Sequence, residues 1–225
     1  MSATLLIFDL DGTLVTTRAG RVAFNRAFER LFGLPNAAAT VTMAGRTDPA
    51  IYRELCERHG LDVGTFPVWK GTFLEELTVA LQADPGRTHP GVLELLTACS
   101  QEPAMALALG TGNVEEGARL KLARHGLNQY FATGGFGGDG ENRDEVIARA
   151  MQRAERHYGC AFARAVVIGD TPLDIRSGKA NHCRTIGVAT GPHQAAELSA
   201  CGADLVMENL ADAQRVCDWV RASSY

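Results

Sequence analysis

The sequence lacks several patterns that would place it in a specialised class of protein. It has no excess of basic residues, because 22 Lys and Arg stand against 26 Asp and Glu, giving a net charge of −4. That balance argues against a basic surface for nucleic acid. The six cysteines include no C-x-x-C pair and have no histidine at zinc-ligand spacing. We therefore expect reduced thiols and no nucleic-acid partner.

Long apolar runs are also missing. The start, MSATLLIFDLDG, has no basic segment, and its apolar run is too short for a signal peptide or a membrane span. We predict a cytoplasmic protein with no membrane partner. The hydrophobic fraction of 46% with 21% charged residues is typical of a globular chain. The length of 225 residues allows one domain, or a core with a modest insertion.

Short apolar runs rich in branched residues alternate with helix-like segments along the chain. The candidate strands are residues 4–8, 104–109, 165–168, 183–188 and 204–206, with a weaker one at 130–133. Mixed apolar and charged spacing predicts helices at residues 115–125, 143–157, 173–180 and 209–221. This alternation favours an α/β fold, with an open, doubly wound parallel sheet covered by helices on both faces.

The first two of these strands are separated by about ninety residues without a strong strand signal, far more than an ordinary connection in such a sheet. Helical periodicity occurs there at residues 21–32, 49–59 and 69–81. We therefore predict an α-helical cap domain at residues 17–84. It would be inserted into a core domain made of residues 1–16 and 85–225.

The most informative stretch is residues 6–14, LIFDLDGTL, in which an apolar strand ends in two carboxylates, Asp9 and Asp11. In open α/β sheets, ligands bind just beyond the carboxyl ends of the strands. Two acids there repel each other unless a cation compensates, and Mg²⁺ prefers hard oxygen ligands. The alternative is a strand followed by an ordinary Asp-Gly turn, which two further motifs disfavour.

Three motifs carry a resemblance to a known family. Residues 9–13, DLDGT, resemble the first motif of the haloacid dehalogenase superfamily in its phosphatase form, where the second Asp separates phosphatases and mutases from dehalogenases. Residues 107–113, LALGTGN, resemble the second motif, and residues 166–174, VVIGDTPLD, resemble the fourth. The matches occur in the expected order. The resemblance implies a Rossmann-like core, a helical cap and a magnesium-dependent phosphatase.

The resemblance also implies a role for each matched residue. Asp9 would attack phosphorus and form an aspartyl-phosphate, while Asp11 would act as general acid and base. Mg²⁺ would be held by Asp9, the backbone carbonyl of Asp11 and Asp170, with support from Asp174. The residues that would hold the phosphoryl oxygens are Thr111, Gly112, Asn113 and Arg143.

Helix capping is the alternative for two of these motifs. Thr111 or Asn113 would then cap the helix predicted at residues 115–125, and Thr171 would be a plain N-cap before Pro172. The position of Asp170 directly after a buried strand favours metal binding over this interpretation.

The third motif departs from the usual pattern, a Lys followed by Pro, because residues 141–144 read ENRD. Arg143 lies at the expected position, and a guanidinium binds phosphate in a bidentate manner, so we take it as the substitute cation. The alternative is an exposed residue in the first turn of the next helix. Lys121 is the only lysine between the second and fourth motifs, and it is a weaker candidate because it lies mid-helix.

In the predicted cap, residues 45–48, GRTD, resemble a segment that approaches the substrate in phosphoglycolate phosphatase-like relatives. Arg46 would pair there with an anionic group of the substrate. The alternative is a solvated arginine beside a capping Thr47. We expect the partner to be a small phosphorylated metabolite, phosphoglycolate-like or a sugar phosphate, and the chain to be a monomer or a homodimer.

Two other functions stay open at this point. A sugar-phosphate mutase of the β-phosphoglucomutase type would use the same pair of aspartates to return the phosphoryl group to a second hydroxyl. A noncatalytic regulator would keep the fold and use the cap to bind a partner. The intact Asp9, Asp11, Asp170 and Asp174 argue against the regulator.

Overall fold

The structure is a computed structural model that describes residues 3–222, so the outermost ends of the predicted core domain lie outside the described residues. Its strands, in chain order, are β1 (Thr4–Phe8), β2 (Val15–Thr16), β3 (Arg87–Thr88), β4 (Met105–Gly110), β5 (Gly134–Gly135), β6 (Arg164–Gly169), β7 (Arg184–Val188) and β8 (Leu205–Met207). Its α-helices are α1 (Ala19–Phe32), α2 (Asp48–His59), α3 (Phe66–Ala83), α4 (Val92–Gln101), α5 (Glu115–Ala123), α6 (Arg143–Tyr158), α7 (Pro172–Ala180), α8 (Ala195–Ala200) and α9 (Ala213–Ala222). Within the described range, no helix has the length and apolarity that a bilayer crossing requires.

Strand β1 lies in the middle of a six-stranded parallel sheet with the order β5-β4-β1-β6-β7-β8. Leu6 of β1 is opposite Leu107 of β4 on one side and Val166 of β6 on the other. After β1 the chain adds β4 and β5 on one side of it and then β6, β7 and β8 on the other, so the strand order reverses beside β1. This sheet confirms the predicted doubly wound α/β fold, and it places the carboxyl ends of β4, β1 and β6 next to one another.

The alternating side chains of β1 separate two apolar layers. Leu6 and Phe8 belong to a buried cluster on one face, together with residues of α4, α5 and α9. Leu5 and Ile7 belong to a second cluster on the opposite face, which α6 covers. Because β1 is buried on both faces, its sequence is a continuous apolar run rather than an alternating one.

Helices α1, α2 and α3 lie between β2 and β3 and agree with the helical periodicity of that segment. Their apolar faces form a third buried cluster around Trp69, which is fully buried. The Trp69 ring lies 4.7 Å from that of Phe24, 4.9 Å from Tyr52 and 5.0 Å from Phe73, measured between centroids. These helices therefore have an apolar core of their own, while the domain boundaries at residues 17 and 84 stay a prediction.

Replacing Trp69 by Ala should lower the free energy of unfolding by about 3–5 kcal/mol, because the change empties the centre of this aromatic cluster. Trp69→Phe is the matched control, since it keeps a ring and loses no hydrogen bond: Trp69 Nε1 is without a partner among residues 3–222. Urea denaturation of both variants measures the difference. Equal costs for Ala and Phe would contradict the central role of the Trp69 ring.

The weaker strand predicted at residues 130–133 was wrong. That stretch begins with the last residue of a 3-10 helix, Leu127–Tyr130. The edge strand is β5, which consists of the next two residues, both glycines. A Cβ on Gly135 would lie 1.9 Å from the carbonyl oxygen of Val146 in α6, so this strand requires glycine. Glycine is uncommon in strands and has no apolar side chain, so an apolar pattern could not identify β5.

Candidate active site

The predicted site residues of the core lie at the carboxyl edge of the three central strands. Asp9 follows β1, Thr111 follows β4 and Asp170 follows β6. Arg143 is the first residue of α6, and Asp174 lies in the first turn of α7. The parallel pairing of β1 with both neighbours brings these distant parts of the chain to one place.

The turn after β1 lies against the side chain of Asp170. Gly12 has a φ of 92°, and a Cβ at this position would lie 2.3 Å from Asp170 Oδ2. The hydroxyl of Thr13 donates to Asp170 Oδ1 at 3.0 Å. The residues after Asp11 therefore do more than reverse the chain: they leave space for the third acid and fix its orientation.

Three buried carboxylates form the centre of the site. Asp9, Asp170 and Asp174 each offer an oxygen, and these oxygens all lie within 4.8 Å of one another. Asp174 Oδ2 accepts hydrogen bonds from the backbone N–H of Thr171 at 3.0 Å and from its hydroxyl at 2.7 Å. Thr171 therefore caps α7, as the capping interpretation held, and it also holds Asp174 in the cluster.

Arg143 is the cation of this cluster. Its Nη2 donates to Asp9 Oδ1 at 2.8 Å and also to Asp174 Oδ1. The side chain is 3% exposed, so it is not the solvent-exposed first-turn residue of the alternative interpretation. Its Nε and Nη1 are buried, and no group in the described part of the chain accepts from them. Because buried donors are normally satisfied, these two are available for a ligand.

The electrostatics of the cluster favour a further positive charge. Burial raises the pKa of Asp9 to about 7 in spite of the neighbouring Arg143. Burial and the charges of Asp9 and Asp174 together raise the pKa of Asp170 well above its usual range. One guanidinium thus does not balance three acids. The donors are all hard oxygens, a set that fits a divalent cation such as Mg²⁺.

The carboxylate of Asp11 is separate from this cluster. It is 40% exposed, and its Oδ2 accepts from Lys121 Nζ at 2.6 Å and from Asn113 Nδ2 at 2.7 Å. Of the four residues predicted to hold the metal, three therefore contribute to the carboxylate cluster. The predicted contribution of Asp11 through its backbone carbonyl stays a prediction.

A cavity of about 180 Å³ lies between the carboxyl edge of the sheet and helices α1 to α3. Seven of the predicted site residues line it: Asp9, Asp11, Arg46, Thr111, Gly112, Asn113 and Arg143. The capping interpretation of Thr111 and Asn113 was wrong, because the N-cap residue of α5 is Val114, whose side chain makes no capping hydrogen bond. Apolar side chains of the helical segment, including Phe24 and Phe73, complete the wall.

Arg46 lines the cavity but is already engaged. Its Nη1 pairs with Glu54 and donates to the carbonyl oxygen of Thr42 at 3.2 Å. The hydrogen bond from Arg46 lowers the pKa of Glu54. Thr47 caps α2 through its hydroxyl, as the alternative interpretation of residues 45–48 held. A substrate group that binds Arg46 has to compete with Glu54 or share the guanidinium with it.

The segment that contains Arg46 packs tightly on the loop after β4. Asp48 donates its backbone N–H to the carbonyl oxygen of Gly112 at 2.8 Å and accepts from the N–H of Val114 at 2.8 Å. A Cβ on Gly112 would lie 2.1 Å from the carbonyl oxygen of Arg46, so only glycine allows this contact. Burial raises the pKa of Asp48 to about 7. Sequence reasoning did not identify Asp48 as part of the site.

Lys121 is the second residue whose place in the site was underestimated. The sequence favours Arg143 over Lys121, because Lys121 lies in the middle of a predicted helix, yet its side chain is 5% exposed and reaches Asp11. No pattern in the sequence marks Lys121, since a lysine within a helix is usual on a solvated face.

Comparison with known protein families identifies the class to which this sheet and its edge of acids belong. Residues 6–188 match the haloacid dehalogenase-like hydrolases, and the chain belongs to this family. Probable phosphatase IndB of Dickeya dadantii (strain 3937) is 26% identical over an alignment of 234 positions, which covers 92% of this chain and 90% of that protein. Phosphoglycolate phosphatase of Agrobacterium fabrum is 29% identical over 205 residues, covering 83% of this chain and 81% of that protein.

A solved structure has the same fold. The crystal structure of a predicted phosphatase from Clostridium acetobutylicum superposes with a TM-score of 0.72 at 19% identity, covering 97% of this chain and 99% of the other. The family match and this fold together confirm the resemblance drawn from the three motifs.

Proposed function

We propose that this hydrolase is a magnesium-dependent phosphatase that cleaves a small phosphomonoester through a phosphorylated Asp9. The observation that carries the proposal is the separation of two neighbouring carboxylates into different environments. Asp9 lies in the buried acid cluster against Arg143, whereas Asp11 faces the cavity beside Asn113 and Lys121. Two carboxylates in different surroundings can take different roles in one reaction.

In the first half of the proposed reaction, a carboxylate oxygen of Asp9 forms a bond to phosphorus while the bond from phosphorus to the leaving oxygen breaks. Asp11 donates a proton to that oxygen, so the alcohol departs neutral. In the second half, Asp11 takes a proton from water as the water oxygen attacks the aspartyl-phosphate. Inorganic phosphate leaves, and the Asp9 carboxylate is regenerated.

The transferring phosphoryl group would be held by donors that are free to bind it. Arg143 offers two buried donors, Nε and Nη1, that have no partner between residues 3 and 222. Thr111 Oγ1 accepts from the backbone and side-chain amides of Asn113 at 3.3 Å and 2.9 Å, so its own proton points elsewhere. Gly112 and Asn113 line the same cavity. Such donors stabilise the charge on the nonbridging oxygens.

The metal would be held by Asp9 and Asp170, by the backbone carbonyl of Asp11, and with support from Asp174. When bound, Mg²⁺ would offset the repulsion between these carboxylates and the phosphoryl oxygens. The proposal is supported by the oxygen donor set and by the charge that Arg143 alone does not balance.

Residues 17–84 would act as a cap that excludes bulk water and selects the leaving group. Arg46 would bind an anionic part of the substrate in competition with Glu54. A small phosphorylated acid such as phosphoglycolate, or a sugar phosphate, is the class that we propose. The similarity to the phosphoglycolate phosphatase of Agrobacterium fabrum and the modest cavity support that class.

A panel of phosphorylated metabolites, including phosphoglycolate and hexose phosphates, tests the proposal. With Mg²⁺ we expect release of inorganic phosphate, and with excess EDTA we expect a loss of at least about 100-fold that Mg²⁺ restores. Phosphate and sugar isomers are measured in the same samples. Isomerisation without phosphate release would overturn hydrolysis in favour of a mutase, and activity that survives EDTA would overturn the metal dependence.

A further inference from the structure

Lys121 is a buried charge that the proposed reaction does not yet use. It lies in the last turn of α5, and its Nζ donates to Asp11 Oδ2 at 2.6 Å and to Asn113 Oδ1 at 2.7 Å. Burying an ammonium is costly unless its donors are satisfied, and here two acceptors from the site itself bind two of its three N–H groups. The residue therefore belongs to the site by its contacts as well as by its position on the cavity wall.

The contacts around Lys121 form a closed network. Asn113 accepts from Lys121 through its amide oxygen, and its amide nitrogen donates to Asp11 Oδ2 at 2.7 Å. The same nitrogen donates to Thr111 Oγ1 at 2.9 Å. Asp11 Oδ2 thus has two donors from two residues that also bind each other. Such an arrangement fixes the rotation of a carboxylate that one bond alone would leave free.

The opposite side of Lys121 is also confined. A Cβ on Gly20, at the start of α1, would lie 3.2 Å from Lys121 Nζ. Helix α1 therefore passes directly over the ammonium. With the Lys121 side chain 5% exposed, the start of α1 shields the ammonium from solvent.

We propose that Lys121 is a positioning residue for the reaction: together with Asn113 it holds the Asp11 carboxyl group in the orientation that delivers a proton to the leaving oxygen. The inference rests on the proposed phosphatase function. It assigns to Lys121 a role that depends on the leaving group, because the need for a delivered proton depends on how basic the departing oxygen is.

A competing role for Lys121 is purely structural. Its charge lies close enough to Asp48 to oppose the rise in the pKa of that buried acid. Removing the lysine would then weaken the contact between residues 45–48 and the loop after β4. That effect would reduce activity on every substrate alike, whereas loss of proton delivery would not.

The test compares two substrates in the Lys121→Met variant. An alkyl phosphomonoester from the panel has a strongly basic leaving oxygen, and 4-nitrophenyl phosphate has a weakly basic one that departs without a proton. The comparison uses kcat/KM, which reports the steps up to departure of the leaving group. We expect a loss of about 100-fold for the alkyl substrate and less than about 5-fold for 4-nitrophenyl phosphate.

Two further variants make the result specific. Lys121→Arg keeps the charge and the donors, and we expect it to recover most of the alkyl activity. Lys179→Met is the matched control, because this substitution also removes one lysine charge. Lys179 lies on the surface, where it pairs with Asp204 at 2.5 Å. We expect Lys179→Met to leave both values of kcat/KM unchanged.

The outcomes separate this inference from the proposed function. Equal losses of kcat/KM on both substrates in Lys121→Met, with a folded variant by circular dichroism, would overturn the positioning role and leave the phosphatase intact. A wild-type protein that releases no phosphate from either substrate with Mg²⁺ would overturn both. If Lys121→Met does not fold, Lys121→Gln replaces it in the same comparison, since a structural role again predicts equal losses on the two substrates and the positioning role predicts a larger loss on the alkyl substrate.

Discussion

Asp9→Asn is expected to reduce the rate of phosphate release by at least about 10⁴-fold, the scale seen when a nucleophile is removed. The amide has the shape of the carboxylate but does not attack phosphorus. The change also removes one of three buried like charges around Asp170 and Asp174. We therefore expect the variant to stay folded and to be no less stable than the wild type in the absence of metal. Phosphate release and thermal unfolding measure the two effects.

Asp218→Asn is the matched control for this variant. Asp218 lies exposed on α9, where it pairs with Arg221, and it is remote from the carboxyl edge of the sheet. We expect it to keep the wild-type rate. A residual rate in Asp9→Asn within about tenfold of wild type would refute Asp9 as the nucleophile, since covalent catalysis does not survive loss of the attacking group.

Arg143→Ala should destabilise the protein by about 3–5 kcal/mol, because it leaves Asp9 and Asp174 buried without their cation. It should also reduce kcat/KM by at least about 100-fold, since donors to the transferring phosphoryl group are lost. Saturating Mg²⁺ should restore part of the stability, because a bound cation supplies charge to the same acids. Urea denaturation with and without Mg²⁺ measures this recovery.

Arg143→Lys examines whether a lysine can serve at this position, as it does in the usual form of the third motif. It keeps the charge but not the planar set of donors, so we expect most of the stability and part of the activity. Arg221→Ala is the control, because the ion pairs that Arg221 makes at the surface with Glu102 and Asp218 should contribute no more than about 1 kcal/mol. A cost in Arg143→Ala as small as in Arg221→Ala would contradict the role of Arg143 in balancing the acids.

The parts of the site that sequence could predict are those that follow strands. Asp9, Thr111 and Asp170 each come directly after an apolar run, and parallel strands deliver their carboxyl ends to one edge. The alternation of strands and helices predicts a parallel sheet, while the order of β1, β4 and β6 within it comes from the structure. Arg143 was predicted for a different reason, from its place between the second and fourth motifs.

The parts that sequence could not predict depend on contacts between segments that are far apart in the chain. Lys121 matters because α5 turns one face towards Asp11, which lies 110 residues earlier. Asp48 matters because α2 begins against the loop after β4. Neither contact leaves a local pattern, since a mid-helix lysine and a first-turn aspartate are common on ordinary solvated helices.

Strands β2 and β3 have a consequence for how this protein can change over evolution. Val15 pairs with Thr88 and Thr16 with Arg87, so the chain leaves the core and returns to it at adjacent points. Residues gained or lost between these two strands leave the register of the six-stranded sheet untouched. The segment between β2 and β3, which forms one wall of the cavity, can therefore diversify, or be exchanged for another module, while the acids at the strand ends keep their places.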